Sequence, residues 1–370
     1  MKISKESKAI VYCEGAFATT NGKTAHGLVR RSDRYEVLAI IDSAKAGRDA
    51  GMILDGRDVG IPVVESLSAA LALAESGDQR PTHLVIGLAP DGGRLPVSAR
   101  KVVLEAVASG LGVVSGLHDF LSEDPEIAEV AAKHGVTLQD VRKPPDRNLL
   151  HFFSGKIEQV DCLKVALLGT DSAVGKRTTA WLLHDELEEK GWKAELVGTG
   201  QTAWMQGAKY SMVTDSIVSD FVAGEIEHAV WSAWSEEQPD VILLEGQGSL
   251  MNPAYPGGFE LIAAGRPDVI VLQHAPARVE YDGFPGYPLH PLETQIEALE
   301  LISGKPVVAV TLNHELLSDE KLAEAQRKIE RDTGLPVCSP LKEGCAKVVE
   351  VLESRLKENR RRRDGEVASR

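Results

Sequence analysis

Leu163-Lys-Val-Ala-Leu-Leu-Gly-Thr-Asp-Ser-Ala-Val-Gly-Lys-Arg-Thr-Thr179 is the stretch that decides the fold. Its apolar run, Val165 to Leu168, reads as a buried parallel strand. Small residues follow from Gly169 to Gly175, then Lys176, Arg177 and two threonines. Trp181, Leu182, Leu183 and Leu187 continue with helical spacing, and Gly191 stands where such a helix would end. Strand, glycine loop, Gly-Lys and helix together make a phosphate-binding loop. Backbone N–H groups and a helix N-terminus point at an anion, and the lysine adds a positive charge. A single helix-end contact contributes only about 0.3–1 kcal/mol at an exposed site. Several donors and Lys176 must therefore act together on a polyphosphate.

Two features depart from the usual spacing. Five residues, not four, separate Gly169 from Gly175, and Arg177 stands where a Ser or Thr hydroxyl normally holds Mg²⁺. The candidate ligand-binding residues are Gly169, Thr170, Asp171, Ser172, Ala173, Val174, Gly175, Lys176, Arg177 and Thr178. The longer loop resembles that of dethiobiotin synthetase and its relatives, although the arginine does not. A phosphate-bearing ligand is expected. A magnesium nucleotide would need Thr178 to shift register and supply the hydroxyl.

The chain of 370 residues is long enough for two domains, each with its own core. Hydrophobic content of 43% and charged content of 26% are those of a globular protein. The longest apolar runs are strand-sized, so no membrane span is expected. The first residues, Met-Lys-Ile-Ser-Lys-Glu-Ser-Lys, lack the apolar core of a signal peptide. Cys13, Cys162, Cys338 and Cys345 show no Cys-x-x-Cys spacing. They read as reduced thiols of a cytoplasmic protein, with neither disulfide nor metal site. A net charge of −14 argues against nucleic-acid binding. The Arg360–Arg363 run reads as a solvated end.

Residues 1–143 alternate strand and helix signals. Ala9–Cys13, Val37–Ile41, His83–Leu88 and Leu111–Ser115 read as strands. Leu67–Glu75 and Ser98–Ser109 read as helices between them. This alternation predicts an α/β domain with a Rossmann-like parallel sheet. Asp42 stands where dinucleotide folds place a ribose-binding acid, but no Gly-x-Gly-x-x-Gly precedes it. A helix-cap or turn role is the other reading. Gly22-Lys23-Thr24 reads either as the end of a second phosphate loop or as a turn into a helix. The paired prolines of Val141–Arg147 mark the domain boundary. Residues 144–352 then form the phosphate-loop domain, and residues 353–370 a charged tail. No internal repeat is evident.

The second half carries most of the polar groups. Lys193–Val197 is a strand ending in Gly-Thr-Gly-Gln-Thr202, which puts Gln201 at a carboxyl edge as a substrate contact. Asp215 is a candidate site residue, and Asp220 reads as the cap of the next helix. Asp240–Leu244 delivers Glu245-Gly-Gln-Gly-Ser-Leu250. A strand ending in an acid is where phosphate-loop proteins place a water-orienting carboxylate or base. Gln247, Gly248 and Ser249 supply neutral contacts and close backbone approach. Val269–Gln273 leads to His274, either ligand or core histidine, and to Arg278, which suits a substrate carboxylate. The irregular run Val279–Pro291, with Tyr281, Asp282, Phe284, Tyr287 and His290, reads as a lid or substrate wall. Val307–Thr311 is a last strand, and Leu322–Arg331 and Cys345–Leu356 are amphipathic helices.

Four motifs in order carry a family resemblance: Gly-Thr-Asp-Ser-Ala-Val-Gly-Lys-Arg-Thr-Thr, Gly-Thr-Gly-Gln-Thr, Asp220-Phe-Val-Ala-Gly-Glu-Ile-Glu227, and Leu-Glu-Gly-Gln-Gly-Ser-Leu. They resemble a family long catalogued as a domain of unknown function. It joins a Rossmann-like N-terminal domain to a dethiobiotin-synthetase-like phosphate-loop domain, and the resemblance covers about residues 8 to 350. Some members are D-glutamate N-acetyltransferases acting also on other D-amino acids. The resemblance implies acyl transfer from acetyl-coenzyme A to a small-molecule amine. Coenzyme A phosphates would suit the loop without Mg²⁺, and Arg177 would become a phosphate contact.

Such a reaction needs a base and oxyanion donors. Glu245 is the first candidate base, with His274 second and Asp215 beside them. Gly246 to Ser249 N–H groups are the oxyanion candidates. Two other classes stay open: a Mg-ATP-dependent ligase or kinase, with Thr178 or Asp171 near the metal, and a non-catalytic nucleotide sensor. A homo-oligomer is expected, because enzymes of this size usually form closed symmetric assemblies.

Overall fold

The computed structural model describes residues 7–368. Most of the polar opening stretch therefore lies outside the described residues. Contacts divide the chain into two units: residues 1–145 with Gln201–Ala208, and residues 146–200 with 209–370. The segment Gln201–Ala208 thus belongs with the first unit, although its neighbours in sequence belong to the second.

The first unit is built on β1 (Ser7–Tyr12), β2 (Tyr35–Ile41), β3 (Val63–Val64), β4 (His83–Ile86), β5 (Gly112–Ser115) and β6 (Leu138–Asp140). All pairings are parallel, and the order is β3-β2-β1-β4-β5-β6. This is the order of dinucleotide-binding sheets, with its switch point between β1 and β4. Ile10, Val11, Leu84, Val85 and Val113 are fully buried, as expected of strands covered by helices on both faces. The long strands follow the apolar runs. β3 and β6 are only two and three residues long and carry no run to detect.

At the carboxyl end of β2, Asp42 accepts the N–H groups of Phe17 at 3.0 Å and Ala44 at 3.1 Å. It caps the short turn Ser43–Lys45, so its structural reading is the correct one. Gly22 leads directly into the helix Lys23–Arg30, as a turn would. That helix packs against the inserted helix Gln201–Gln206. The hydroxyls of Thr24 and Thr202 meet at 2.9 Å. Gln206 Nε2 donates to the carbonyls of Gly27 at 2.9 Å and Arg31 at 3.1 Å. Met205 is fully buried in the first unit's core.

The second unit contains β7 (Leu163–Gly169), β8 (Ala194–Gly198), β9 (Tyr210–Ser211), β10 (Val241–Glu245), β11 (Val269–His274), β12 (Val307–Leu312) and β13 (Val337–Cys338). The parallel order is β13-β12-β11-β7-β10-β8-β9. β7 is therefore central and buried along its whole length. β10 and β11 flank it, with Glu245 level with Leu167 and Gln273 level with Gly169. The carboxyl ends of three adjacent strands thus meet at the phosphate loop, where open parallel sheets bind ligands.

Two sequence expectations need correction here. The expected charged tail is helical as far as it is described, since residues 353–368 belong to the helix Ala346–Ala368. Leu352 and Leu356 are buried, Arg360 bonds Asp240 at 2.7 Å, and its guanidinium lies over the Trp192 ring at 4.4 Å. Asp220 does not cap its helix. The helix spans Ser219–Glu237 with Val218 at the cap position, and Asp220 sits in the first turn. All four cysteines are buried, and none is in a disulfide among the described residues. Burial pushes the Cys338 thiol up to about 12, and the Cys13 and Cys345 thiols rise for the same reason. Among the described residues, no helix is long and apolar enough to cross a membrane.

Candidate active site at the phosphate loop

The helix Lys176–Glu189 starts at Gly175, which has φ +106°, and no side chain caps it. Ala173, two residues earlier, has φ +51°. Such a conformation costs a non-glycine residue about 1–3 kcal/mol and persists only where its surroundings hold it. Here Arg278 holds it. Its Nη1 donates to the Ser172 carbonyl at 2.7 Å and its Nη2 reaches the Ala173 carbonyl at 3.4 Å. Two left-handed residues before an uncapped helix turn successive N–H groups inward, which is an anion-binding arrangement.

Asp171 is the hub beneath this loop. Its side chain is fully buried. Oδ1 accepts Ser172 N at 2.7 Å and Asn252 Nδ2 at 2.8 Å, while Oδ2 accepts Arg278 Nη1 and Asp282 N, each at 2.8 Å. Arg278 also donates through Nε and Nη2 to Glu315. Burial lowers the Arg278 pKa, but Glu315 and Asp171 more than offset this and leave it raised. The expectation of a substrate carboxylate on Arg278 is therefore corrected: its guanidinium is engaged in shaping the loop. Asp171 likewise contributes structure, and its side chain is not presented to a metal.

Lys176 lies buried across the loop, its Nζ donating to the carbonyls of Asp171 at 2.8 Å and Gly248 at 2.9 Å. It thereby ties the loop to the turn after β10. At Gly248, φ is +38° and a Cβ would sit 1.8 Å from the Tyr255 carbonyl oxygen, so only glycine fits. Gln247 bonds the Thr199 carbonyl at 2.7 Å, joining this turn to the end of β8. Glu245 is buried at the end of β10. Thr179 and Thr311 both donate to Gln273 Oε1, at 2.5 and 2.7 Å, which fixes the base of the loop helix against β11 and β12.

His274 Nδ1 lies 3.0 Å from the Thr170 hydroxyl. Burial, and then the nearby Arg278, lower its pKa to about 4. It is a neutral imidazole near pH 7 and a weak base. Asp215 is exposed, on the turn Thr214–Ser216. Gln201 lies in the first unit, where its Cγ would approach a Cβ at Gly116 to 2.6 Å. The loop residues, Gln247, Gly248, Ser249, Glu245, His274 and Arg278 thus belong to one neighbourhood, and Gln201 does not belong to that unit.

Sequence reasoning missed Asn252 altogether, and it missed the contacts that make Arg278 and Asp282 supports of the loop. Asn252, Arg278 and Asp282 reach Asp171 from 81, 107 and 111 residues away along the chain. No local pattern announces such pairings. The run Val279–Pro291 is a closed excursion, with Glu280 bridging Pro288 and Leu289 N bonded to the Val279 carbonyl at 2.9 Å. It is anchored to the loop through Asp282 N.

Comparison with known proteins bears on this site. A model of the domain of unknown function DUF1611, C-terminal P-loop part, matches residues 151–349, and its Rossmann-like N-terminal part matches residues 43–144. The chain belongs to the DUF1611 family. A solved DUF1611 protein from Anabaena variabilis superposes with a TM-score of 0.85 at 29% identity, covering 94% of this chain and 100% of that one. Two relatives are named D-glutamate N-acetyltransferase. The one from Tritonibacter scottomollicae is 31% identical over 277 residues, 73% of this chain and 80% of its own length. The one from a Pseudoalteromonas species is 29% identical over 272 residues, 72% and 79% of the two chains.

Proposed function

We propose that this protein is an N-acetyltransferase that moves acetyl from acetyl-coenzyme A to the amino group of a D-amino acid, D-glutamate being the first candidate. The names of the two relatives support the reaction class. The observation that carries the choice of cosubstrate is the state of Asp171. Its four hydrogen bonds leave no oxygen for a magnesium shell, and Arg177 replaces the usual metal-binding hydroxyl. A phosphate held by N–H groups, Lys176 and Arg177 without a metal suits coenzyme A better than a magnesium nucleotide.

This reading moves the base away from the loop. The thioester lies a whole pantetheine arm from the coenzyme's pyrophosphate. Glu245, level with Leu167, and His274, bonded to Thr170, both stand at the phosphate end. Their part is to frame the anion site, and the group that deprotonates the amine lies elsewhere.

Calorimetric titration with acetyl-coenzyme A, and in parallel with ATP and Mg²⁺, tests the proposal. Thiol release on adding D-glutamate completes the test. Acetyl-coenzyme A binding that Lys176→Ala abolishes, with thiol release by the parent protein, is the expected result. Magnesium-dependent ATP binding alone moves the protein to the ligase or kinase class.

A further inference from the structure

Ser249 is only 2% exposed, and its Oγ finds no partner at full hydrogen-bond distance among the described residues, although the Tyr281 phenol stands near enough to interact with it more loosely. A buried hydroxyl in that condition costs stability unless something else completes it. Its position is fixed tightly. The preceding residue, Gly248, is locked against Tyr255 and carries the carbonyl that receives Lys176 Nζ at 2.9 Å. Ser249 N itself donates to the Tyr255 carbonyl at 3.2 Å. The hydroxyl is therefore one residue from the contact of the loop lysine.

The phenol of Tyr281 lies beside Ser249 and within the field of Asp171. Tyr281 is 3% exposed, and the next residue, Asp282, is the one whose N–H binds Asp171. The phenol oxygen meets Nδ1 of His290 at 2.8 Å, and His290 reaches solvent. With the imidazole proton on Nδ1, His290 donates to the phenol oxygen, and the phenol O–H is left to donate onward. Burial raises the Tyr281 pKa, which keeps that proton in place.

Resting on the reading that the loop holds a phosphate, we propose that the Ser249 hydroxyl and the Tyr281 phenol, oriented by His290, complete the anion site of the Gly169–Lys176 loop. Two neutral donors then serve where other phosphate loops use a metal ion. They add hydrogen bonds without adding charge to a site that already holds Lys176. The ligand group is the diphosphate of coenzyme A. Inorganic pyrophosphate shares that chemistry and reports on the contact alone.

The experiment is calorimetric titration of the full chain with coenzyme A and with pyrophosphate, in EDTA, for the parent protein, Ser249→Ala and Tyr281→Phe. The thermal midpoint of each ligand-free protein is measured alongside. Each substitution is expected to weaken both ligands about tenfold to a hundredfold, the scale of a hydrogen bond to a charged group. Ser249→Ala is also expected to leave the ligand-free midpoint unchanged or raise it, because it removes an unsatisfied buried hydroxyl. His290→Phe is expected to weaken binding less than Tyr281→Phe. Affinities within twofold of the parent overturn the proposal and leave the acetyltransferase reading standing. Weakened coenzyme A binding with unchanged pyrophosphate binding places the two groups elsewhere on the ligand and also overturns it. A parent protein that binds neither ligand overturns this proposal together with the coenzyme A reading.

Discussion

In both units a helix follows the first strand at the carboxyl edge of a parallel sheet, and the two edges are finished differently. In the second unit, Ala173 and Gly175 take left-handed conformations and the helix Lys176–Glu189 begins without a side-chain cap. In the first unit the helix Lys23–Arg30 also lacks a side-chain cap, but its Ala25 N donates to the Gly87 carbonyl at 3.1 Å, and Thr24 bonds Thr202. Protein groups thus occupy the place where a dinucleotide fold would put its pyrophosphate. The comparison teaches that strand order alone does not make a nucleotide site. The first sheet has the dinucleotide order but fills its edge with the Gln201–Gln206 helix. The second sheet carries the P-loop at its edge and holds that loop in shape with a buried ion pair.

The sharpest way to break this contrast is Arg278→Ala. It leaves Asp171 as a buried carboxylate without its cation, a change that costs about 3–5 kcal/mol. Urea unfolding followed by tryptophan fluorescence should show that loss, and coenzyme A binding should fall with it. A loss below about 1 kcal/mol would mean that the loop keeps its shape without the pair.

Lys176→Ala ranks next. It removes a charged donor whose hydrogen bond to phosphate contributes about 1.5–3 kcal/mol, so affinity should fall about tenfold to a hundredfold. The fold should persist, because the bonds of Lys176 Nζ to Asp171 and Gly248 go to backbone carbonyls and leave no charged side chain without its partner at these two contacts. The matching change in the first unit is Gln206→Leu. It strips a buried amide from the carbonyls of Gly27 and Arg31, at about 1–3 kcal/mol. Its affinity for coenzyme A should equal the parent's. A change in affinity would show that the filled edge takes part in binding after all.

The effect that is smallest at neutral pH is a pH dependence that emerges only on acidification. The His274 pKa drops from 6.5 to about 4 on folding, chiefly through burial. The unfolded chain therefore binds a proton before the native protein does. The stability this histidine provides is complete above about pH 6.5 and is lost as pH falls through about 4. His274→Gln should flatten the stability profile across that window and leave it unchanged above pH 7. An unchanged slope would mean that Thr170–His274 is open to water.

Much of this was legible in the residues. Val165–Leu168, Val241–Leu244 and Val269–Leu272 are buried strands because both faces of a parallel sheet are covered, and such strands read as unbroken apolar runs. The glycine loop and Gly-Lys were legible because a phosphate loop is a local device, built from consecutive N–H groups. The family resemblance followed from the same motifs. The roles of Arg278 and Asp171 were not legible. A lone arginine after a strand looks the same whether it meets a ligand or a carboxylate 107 residues away.

The sequence by itself determined the two-domain α/β architecture, the central strand and the place of the P-loop, since each depends on hydrophobic period or on contiguous backbone. Only the tertiary structure decided how each sheet edge is finished. It grouped Gln201 with the first unit, and it drew Asn252, Arg278 and Asp282 onto Asp171. The reason is physical: a buried carboxylate must find its donors wherever the fold brings them, and no periodicity along the chain records that choice.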